Sequence, residues 1–377
     1  MTRRAFLAAA AAAPAAHTAL VSQKGQVLPA AWKRFPDPAT EFEVLRLTSP
    51  ETASYLPPSV CRPLSRRRTF LLYASEVSGS PQAFRLDLRT GASRQLTDLP
   101  QLDPTTLTMM PDERSFCCFS GRSLSQVYFS NLRERQVYLV PEPFVRSSHL
   151  SVSIDGVYAT FVESNKGTSY VRLVGIGRGS VTTVAEVPGK AFDPQPRPRR
   201  DSLIYRRNDD QLWLAHYDGS QNRQLPAAPG RIAQAMWSPD GKSVYYLHLP
   251  NDPKILNSLR ELVPDTNTEG MIAPTSQFAA FASNGDGSVF VGASASKASP
   301  HMLLLLRVTR REFTLCEHDA SDAASTAPLF SPGSQSILFQ SDKHGKPAIY
   351  SMRVEKLVEK TEQDAEEAEA EEPKLKK

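Results

Sequence analysis

A strand-like motif bounded by turn residues returns seven times in this chain at a nearly constant interval. One apolar residue marks the middle of each copy: Phe84, Val127, Val171, Trp213, Leu259, Leu304 and Ala348. The successive gaps are 43, 44, 42, 46, 45 and 44 residues. Four-stranded sheets arrayed around an axis produce such a spacing. The expected fold is therefore all-β: a seven-bladed β-propeller of four-stranded antiparallel blades. Seven blades of about 44 residues take up about 308 of the 377 positions, which argues for one domain. In such a ring the innermost strands converge, so a residue's place in the repeat decides whether it can share a site.

The first full copy shows the grammar. Residues 68–76 (RTFLLYASE) and 82–88 (QAFRLDL) read as strands, with turn residues between them, and 93–97 (SRQLT) completes the set. In the fifth copy Met236-Trp237-Ser238 leads into the corner Pro239-Asp240-Gly241-Lys242, followed by the strand 243–247 (SVYYL). Met110-Pro111-Asp112-Glu113, Ser153-Ile154-Asp155-Gly156 and Ser331-Pro332-Gly333-Ser334 echo that corner, and the fourth copy is the most degenerate there. The seventh copy lacks a last strand, and 41–48 (EFEVLRLT) has no blade of its own. It is expected to complete the last blade and close the ring, leaving no open edge.

Four divisions follow: 1–22, 23–40 as a linker, 41–354 as the propeller, and 355–377 as an acidic tail. The start, Thr2-Arg3-Arg4-Ala5-Phe6-Leu7 and an alanine tract, resembles a twin-arginine export signal. It implies a periplasmic or secreted protein; a cytoplasmic protein with an alanine-rich start is the alternative. The tract is too short for a permanent membrane span, which takes about 20 apolar residues. From Glu359 to Glu372, eight of fourteen positions are carboxylates, a composition expected to stay disordered. A net charge of +4 is too small to imply nucleic acid, and Arg197-Pro198-Arg199-Arg200 reads as a solvated loop. Of the four cysteines, Cys117 and Cys118 are strand neighbours that point to opposite faces, so they do not pair. All four read as small buried side chains.

The corner Trp237-Ser238-Pro239-Asp240-Gly241-Lys242, and Asp87, Thr90, Gly91, Leu96 and Thr97 in the first copy, resemble TolB-type propeller repeats. Prolyl-peptidase enzymes carry such repeats too, joined to a hydrolase domain with Gly-x-Ser-x-Gly, a motif this chain lacks. The whole layout, over residues 38 to 354, resembles the oligogalacturonate lyase family. The resemblance rests on Arg46-Leu47-Thr48, on Phe84-Arg85-Leu86-Asp87-Leu88 with Thr90-Gly91, and on Phe330-Ser331-Pro332 followed by 339–350 (FQSDKHGKPAIY). It implies β-elimination of uronic-acid oligosaccharides, as in pectin breakdown, aided by a divalent cation such as manganese held by His and Gln.

Such a reaction removes the proton α to a carboxylate, which takes a base and a stabiliser of the developing charge. Counting back six residues from each corner gives one register near the start of the innermost strands: Thr106, His149, Gln234 and Ala327. The resemblance places two metal-binding His at Ser325 and Ala327, a Gln near Asp322 and a further His at Gln234. Its arginine falls at Gln211, with Arg206 and Arg207 nearby. The imidazole set is thus largely replaced. His149, Arg206 and Arg207 remain as catalytic candidates, and Gln234 and Gln277 as substrate-binding candidates, although both amides suit buried backbone equally well. No metal ligand is assigned, and a cofactor-free protein is the alternative to a manganese-dependent one. His216, His248, His301, His318 and His344 read as structural or surface residues. Paired carboxylates for hydrolysis are missing from the register. Two functions stand side by side: a lyase-like propeller acting on uronic-acid oligosaccharides, and a non-catalytic envelope propeller that binds a glycan or a protein.

Overall fold

The computed structural model describes residues 23–355, with only the backbone of residue 148. The export-signal segment 1–22 and the tail beyond 355 lie outside the described residues. Seven antiparallel sheets follow one another along the chain, as the repeat predicts. Every marker residue lies in the third strand of its blade, from Phe84 in Gln82–Asp87 to Ala348 in Ala348–Arg353. Among the described residues no helix is long and apolar enough to cross a membrane.

The composition of the strands follows from their position. Phe70–Ser75 and Val289–Ser294, in the second strands of their blades, are buried at every residue because a neighbouring sheet covers each face. Outer strands such as Val181–Pro188 are exposed at more than half of their residues. Seven apolar clusters fill the seven gaps between adjacent blades, including the gap between the last and the first. Cys117 packs into the cluster shared with the third blade and Cys118 into the one shared with the first. All four cysteines are buried and free.

The ring closes as the sequence implies. Glu43–Arg46 pairs with the last blade through Val44↔Met352, Leu45↔Ser351 and Arg46↔Tyr350. The Leu47 amide donates to the Ile349 carbonyl at 2.7 Å, and the Ile349 amide to Thr48 Oγ1 at 3.0 Å. Val44 enters the cluster between blades six and seven, and Leu47 the one between seven and one. Segment 23–40 differs from the expected linker: it contributes two short strands. Val27–Leu28 adds to the outer edge of the first blade and Lys33–Pro36 to that of the last, giving two five-stranded sheets. Strands of two and four residues are too short to show a period in sequence.

The corners are built by side chains. In the fifth blade Asp240 Oδ1 accepts the Lys242 amide at 3.0 Å and the Ser238 hydroxyl at 2.7 Å. Ser238 Oγ in turn accepts the Ser243 amide. Gly241, at φ +72°, passes so close to the fourth blade's corner that an added Cβ would lie 2.7 Å from the Pro198 carbonyl. Glycine is required there for both reasons.

Because Leu47 is 3% exposed between the first and last blades, Leu47→Ala tests closure directly. A loss of about 2–5 kcal/mol is expected, read as a lower urea midpoint with an unchanged m-value. A loss below 0.5 kcal/mol would mean that the joint carries little of the ring's stability.

Candidate functional site

One backbone hydrogen bond aligns all seven blades. The amides of Ser65, Met110, Ser153, Arg197, Ser238, Asn284 and Ser331 each donate to the carbonyl five residues on. Four residues before these anchors stand Cys61, Thr106, His149, Asp193, Gln234, Ala280 and Ala327. The register read from the corners therefore holds for Thr106, His149, Gln234 and Ala327. It gains Asp193, which sequence reading missed because the fourth corner, at Arg197-Pro198, has no Asp-Gly to count from. Gln277 falls outside it; Ala280 holds the sixth blade's place.

The innermost strands bulge at this level. Pairing slips between Ser147 and Ser151, between Phe192 and Gln195, between Ile232 and Gln234, and between Phe278 and Ala280. A bulge inserts an extra residue and re-aims a side chain. Asp193 sits in one at φ +53°. Its carboxylate meets His149 Nδ1 at 2.9 Å on one oxygen and Arg206 Nη2 at 2.5 Å on the other.

Arg206 is fixed on all sides. Its Nη1 donates to the carbonyls of Ile232 and Ala233, and its guanidinium lies 4.3 Å from the centre of the Phe192 ring. Arg206 thus orients Asp193. Arg207, the next strand residue, lies on the opposite face over the Trp213 ring at 5.3 Å and does not join His149. Gln211 accepts a hydrogen bond from Trp213 Nε1 at 3.1 Å. Gln234 spends both ends of its amide on the backbone of Phe281: Nε2 donates to the carbonyl at 2.9 Å and Oε1 accepts the amide at 3.0 Å. This is the backbone-satisfying role weighed for it. Gln277 is exposed in a turn at φ +56°. Of the five sequence candidates, the structure brings together His149 and Arg206.

On the other side of His149, Arg146 forms an ion pair with Asp103 at the entrance to the second blade. Asp103 also accepts the amide and hydroxyl of Thr105, at 3.0 and 2.8 Å. Burial pulls the His149 imidazole down, but the hydrogen bond and charge of Asp193 outweigh it and leave it above its ordinary 6.5. Burial pushes Asp193 up, and His149 and Arg206 outweigh that and hold its carboxyl at about 2. The result is an imidazole oriented by a permanent carboxylate, the carboxylate itself fixed by a guanidinium.

The residues at the family's metal positions do not fit a divalent cation. Asp322 caps the short 3-10 helix Ala323–Thr326 by accepting the Ala324 amide at 3.0 Å. The Ser325 hydroxyl donates to the Asp322 carbonyl, and Ala327 ends the helix in the left-handed region. Among the described residues no group of three or more His, Cys, Asp or Glu is placed to hold a metal. The other histidines are structural where they are buried. His248 meets the Pro229 carbonyl, and His318 meets the Ser294 carbonyl and the Ala320 amide.

The carboxylate sets a pH window. Asp193 contributes stability above the ordinary carboxyl value of 3.8 and loses it as pH falls through about 2. His149 contributes below its ordinary 6.5 and loses it as pH rises through its raised value. The stability gap between the wild type and Asp193→Asn is therefore widest between 3.8 and 6.5, on the order of 3 kcal/mol. Urea unfolding across pH measures it. NMR titration of the His149 ring should show its pKa fall in the variant.

No protein-family model matches the chain. Two curated proteins are similar over 88% of the chain and 98% of their own length: the oligogalacturonide lyase of Pectobacterium atrosepticum, 22% identical, and the oligogalacturonate lyase of Dickeya dadantii, 23% identical. Among solved structures, an oligogalacturonate lyase in complex with manganese superposes with a TM-score of 0.83 at 23% identity, covering 88% of this chain and 98% of its own. The oligogalacturonate lyase of Vibrio parahaemolyticus gives a TM-score of 0.82 at 23% identity and the same coverage. These likenesses establish the fold, and the curated matches show the chain to be similar in sequence to oligogalacturonate lyases over most of its length.

Proposed function

We propose that this propeller takes short uronic-acid oligosaccharides at the His149 level of its ring and cleaves them by β-elimination, with His149 as the base. The observation that carries the reading is the His149–Asp193–Arg206 array in the shared register. With Nδ1 committed to Asp193, Nε2 is the nitrogen that takes the proton α to the substrate carboxylate; the electron pair of that C–H bond becomes the new carbon–carbon double bond, the β carbon–oxygen bond breaks, and the departing glycosidic oxygen takes a proton from solvent. Asp193 then stabilises the imidazolium, and Arg206 keeps Asp193 ionised and in place. Arg146, three residues before His149 on the same strand, is paired with Asp103 and so helps to fix the strand that carries His149. Similarity to oligogalacturonate lyases supports the substrate class. No step is routed through a metal, because the chain's own residues at the family's metal positions are Asp322, Ser325, Ala327 and Gln234.

That same replacement favours a second reading, a propeller that binds the oligosaccharide without cleaving it. One experiment separates the two. Purified protein is mixed with digalacturonate, with and without manganese, and unsaturated product is followed by near-ultraviolet absorbance. Turnover in the wild type with a loss of about 100-fold or more in His149→Gln supports the base assignment. Saturable binding by calorimetry without product supports the binding reading. Neither turnover nor binding with any uronate oligomer removes both. The arginine pair near the start of the chain supports export to the periplasm, which cell fractionation of the full-length protein checks.

A further inference from the structure

A cavity of about 460 Å³ lies past the His149 level, toward the corner ends of the innermost strands. In blades two to seven its lining begins two or three residues past the His149 register, at Met109, Ser151, Gln195, Met236, Ala282 and Leu329. It contains none of His149, Asp193, Arg206 or Gln234. Its walls are mainly apolar, because here the strands run into the Pro-containing corners around Trp237 and Phe330. Such a pocket with few polar groups is the usual form of a small-molecule site.

One feature selects the ligand. Arg62 lines the cavity in the left-handed conformation, and its Nη2 donates to the Val152 carbonyl at 3.1 Å. Among the described residues no carboxylate forms an ion pair with it. The cavity's one carboxylate, Glu113, accepts the Arg66 amide at 2.6 Å instead. Burial holds the Arg62 guanidinium below its ordinary value; the neighbouring Cys61 offsets this in part, and Arg66 adds to the depression. A guanidinium withdrawn from water next to a second arginine, without a counter-ion, is costly unless an anion completes it.

We propose that this cavity binds a small organic anion, its apolar body against Met236, Trp237 and Phe330 and its carboxylate, sulfonate or phosphate on Arg62. The site is separate from the His149 array, so the two stand or fall independently. The probe is 8-anilinonaphthalene-1-sulfonate, an apolar body with one anionic group, with neutral N-phenyl-1-naphthylamine and inorganic phosphate as controls. Saturable one-to-one fluorescence enhancement is expected with the folded wild type. Arg62→Gln should weaken the sulfonate about ten-fold or more and leave the neutral naphthylamine within about two-fold, while Arg62→Lys recovers part of the loss. Ile154→Asp places a negative charge on the cavity lining at a residue 45% exposed, and should weaken the sulfonate without disturbing the fold. Phosphate that competes at similar concentration would show that charge alone suffices and would overturn the apolar part. Sulfonate binding unchanged in both Arg62→Gln and Ile154→Asp, or binding that never saturates, would overturn the proposal.

Discussion

The ring depends on three residue pairs. Val44, Leu45 and Arg46 pair with Met352, Ser351 and Tyr350, and that pairing joins the first residues of the propeller to its last blade. A sheet buried on both faces is stable only if each face has a neighbour, and six of the seven interfaces arise simply because consecutive blades stack. The seventh, between the last blade and the first, brings together segments almost the whole chain apart. It must overcome the largest loop-closure entropy. The strand 43–46 supplies backbone hydrogen bonds, and Val44 and Leu47 fill the apolar clusters on its two sides. The early strands Val27–Leu28 and Lys33–Pro36 then cover the outer edges of the first and last blades, which would otherwise be open for pairing.

Closure also sets the electrostatics, because it holds the innermost strands close enough for side chains of different blades to bond. Arg146 and Asp103 tie the third blade to the entrance of the second. His149 and Asp193 tie the third to the fourth, Arg206 ties the fourth to the carbonyls of Ile232 and Ala233 in the fifth, and Gln234 ties the fifth to Phe281 in the sixth. Each link sits at or beside a bulge, where the ladder gives up backbone pairing and leaves carbonyls and amides to satisfy. The polar band therefore holds four interfaces together and positions an imidazole at the same time. Asp193 is its centre: with His149 on one oxygen and Arg206 on the other, it stays ionised where burial alone would protonate it.

What could be read from the sequence was what repeats. The blade number, the third-strand markers, the closing strand and the opposed faces of Cys117 and Cys118 all follow from a period of about 44 laid over a period of two. The site was legible as far as its register. Counting from Asp-Gly corners reached His149 and Gln234, and it stopped at the fourth blade, where Arg197 replaces the usual serine and bonds Asp265 instead of capping a turn. A backbone hydrogen bond preserves the alignment that the side chains lost, and such a bond leaves no mark in the sequence. The partners were hidden for a related reason. Whether Gln234 meets a sugar or the Phe281 backbone depends on the approach of the neighbouring blade, and the separate fates of Arg206 and Arg207 depend on which face of the strand each occupies.

The positions at which the resemblance would place metal-binding groups hold residues that serve the fold. Here those positions are used for the protein's own bonding: Asp322 and Ser325 build a helical turn, Ala327 ends it, and Gln234 staples two blades. A polar group spent on the backbone gains nothing by turning to a ligand, since leaving the buried amide or carbonyl unpaired costs as much as the new bond returns. Under the proposed function, the group left for a ligand at this level is one whose hydrogen bonds set charge and tautomer while part of its surface stays exposed. His149 is that group, because its side chain is 41% exposed while its Nδ1 is held by Asp193.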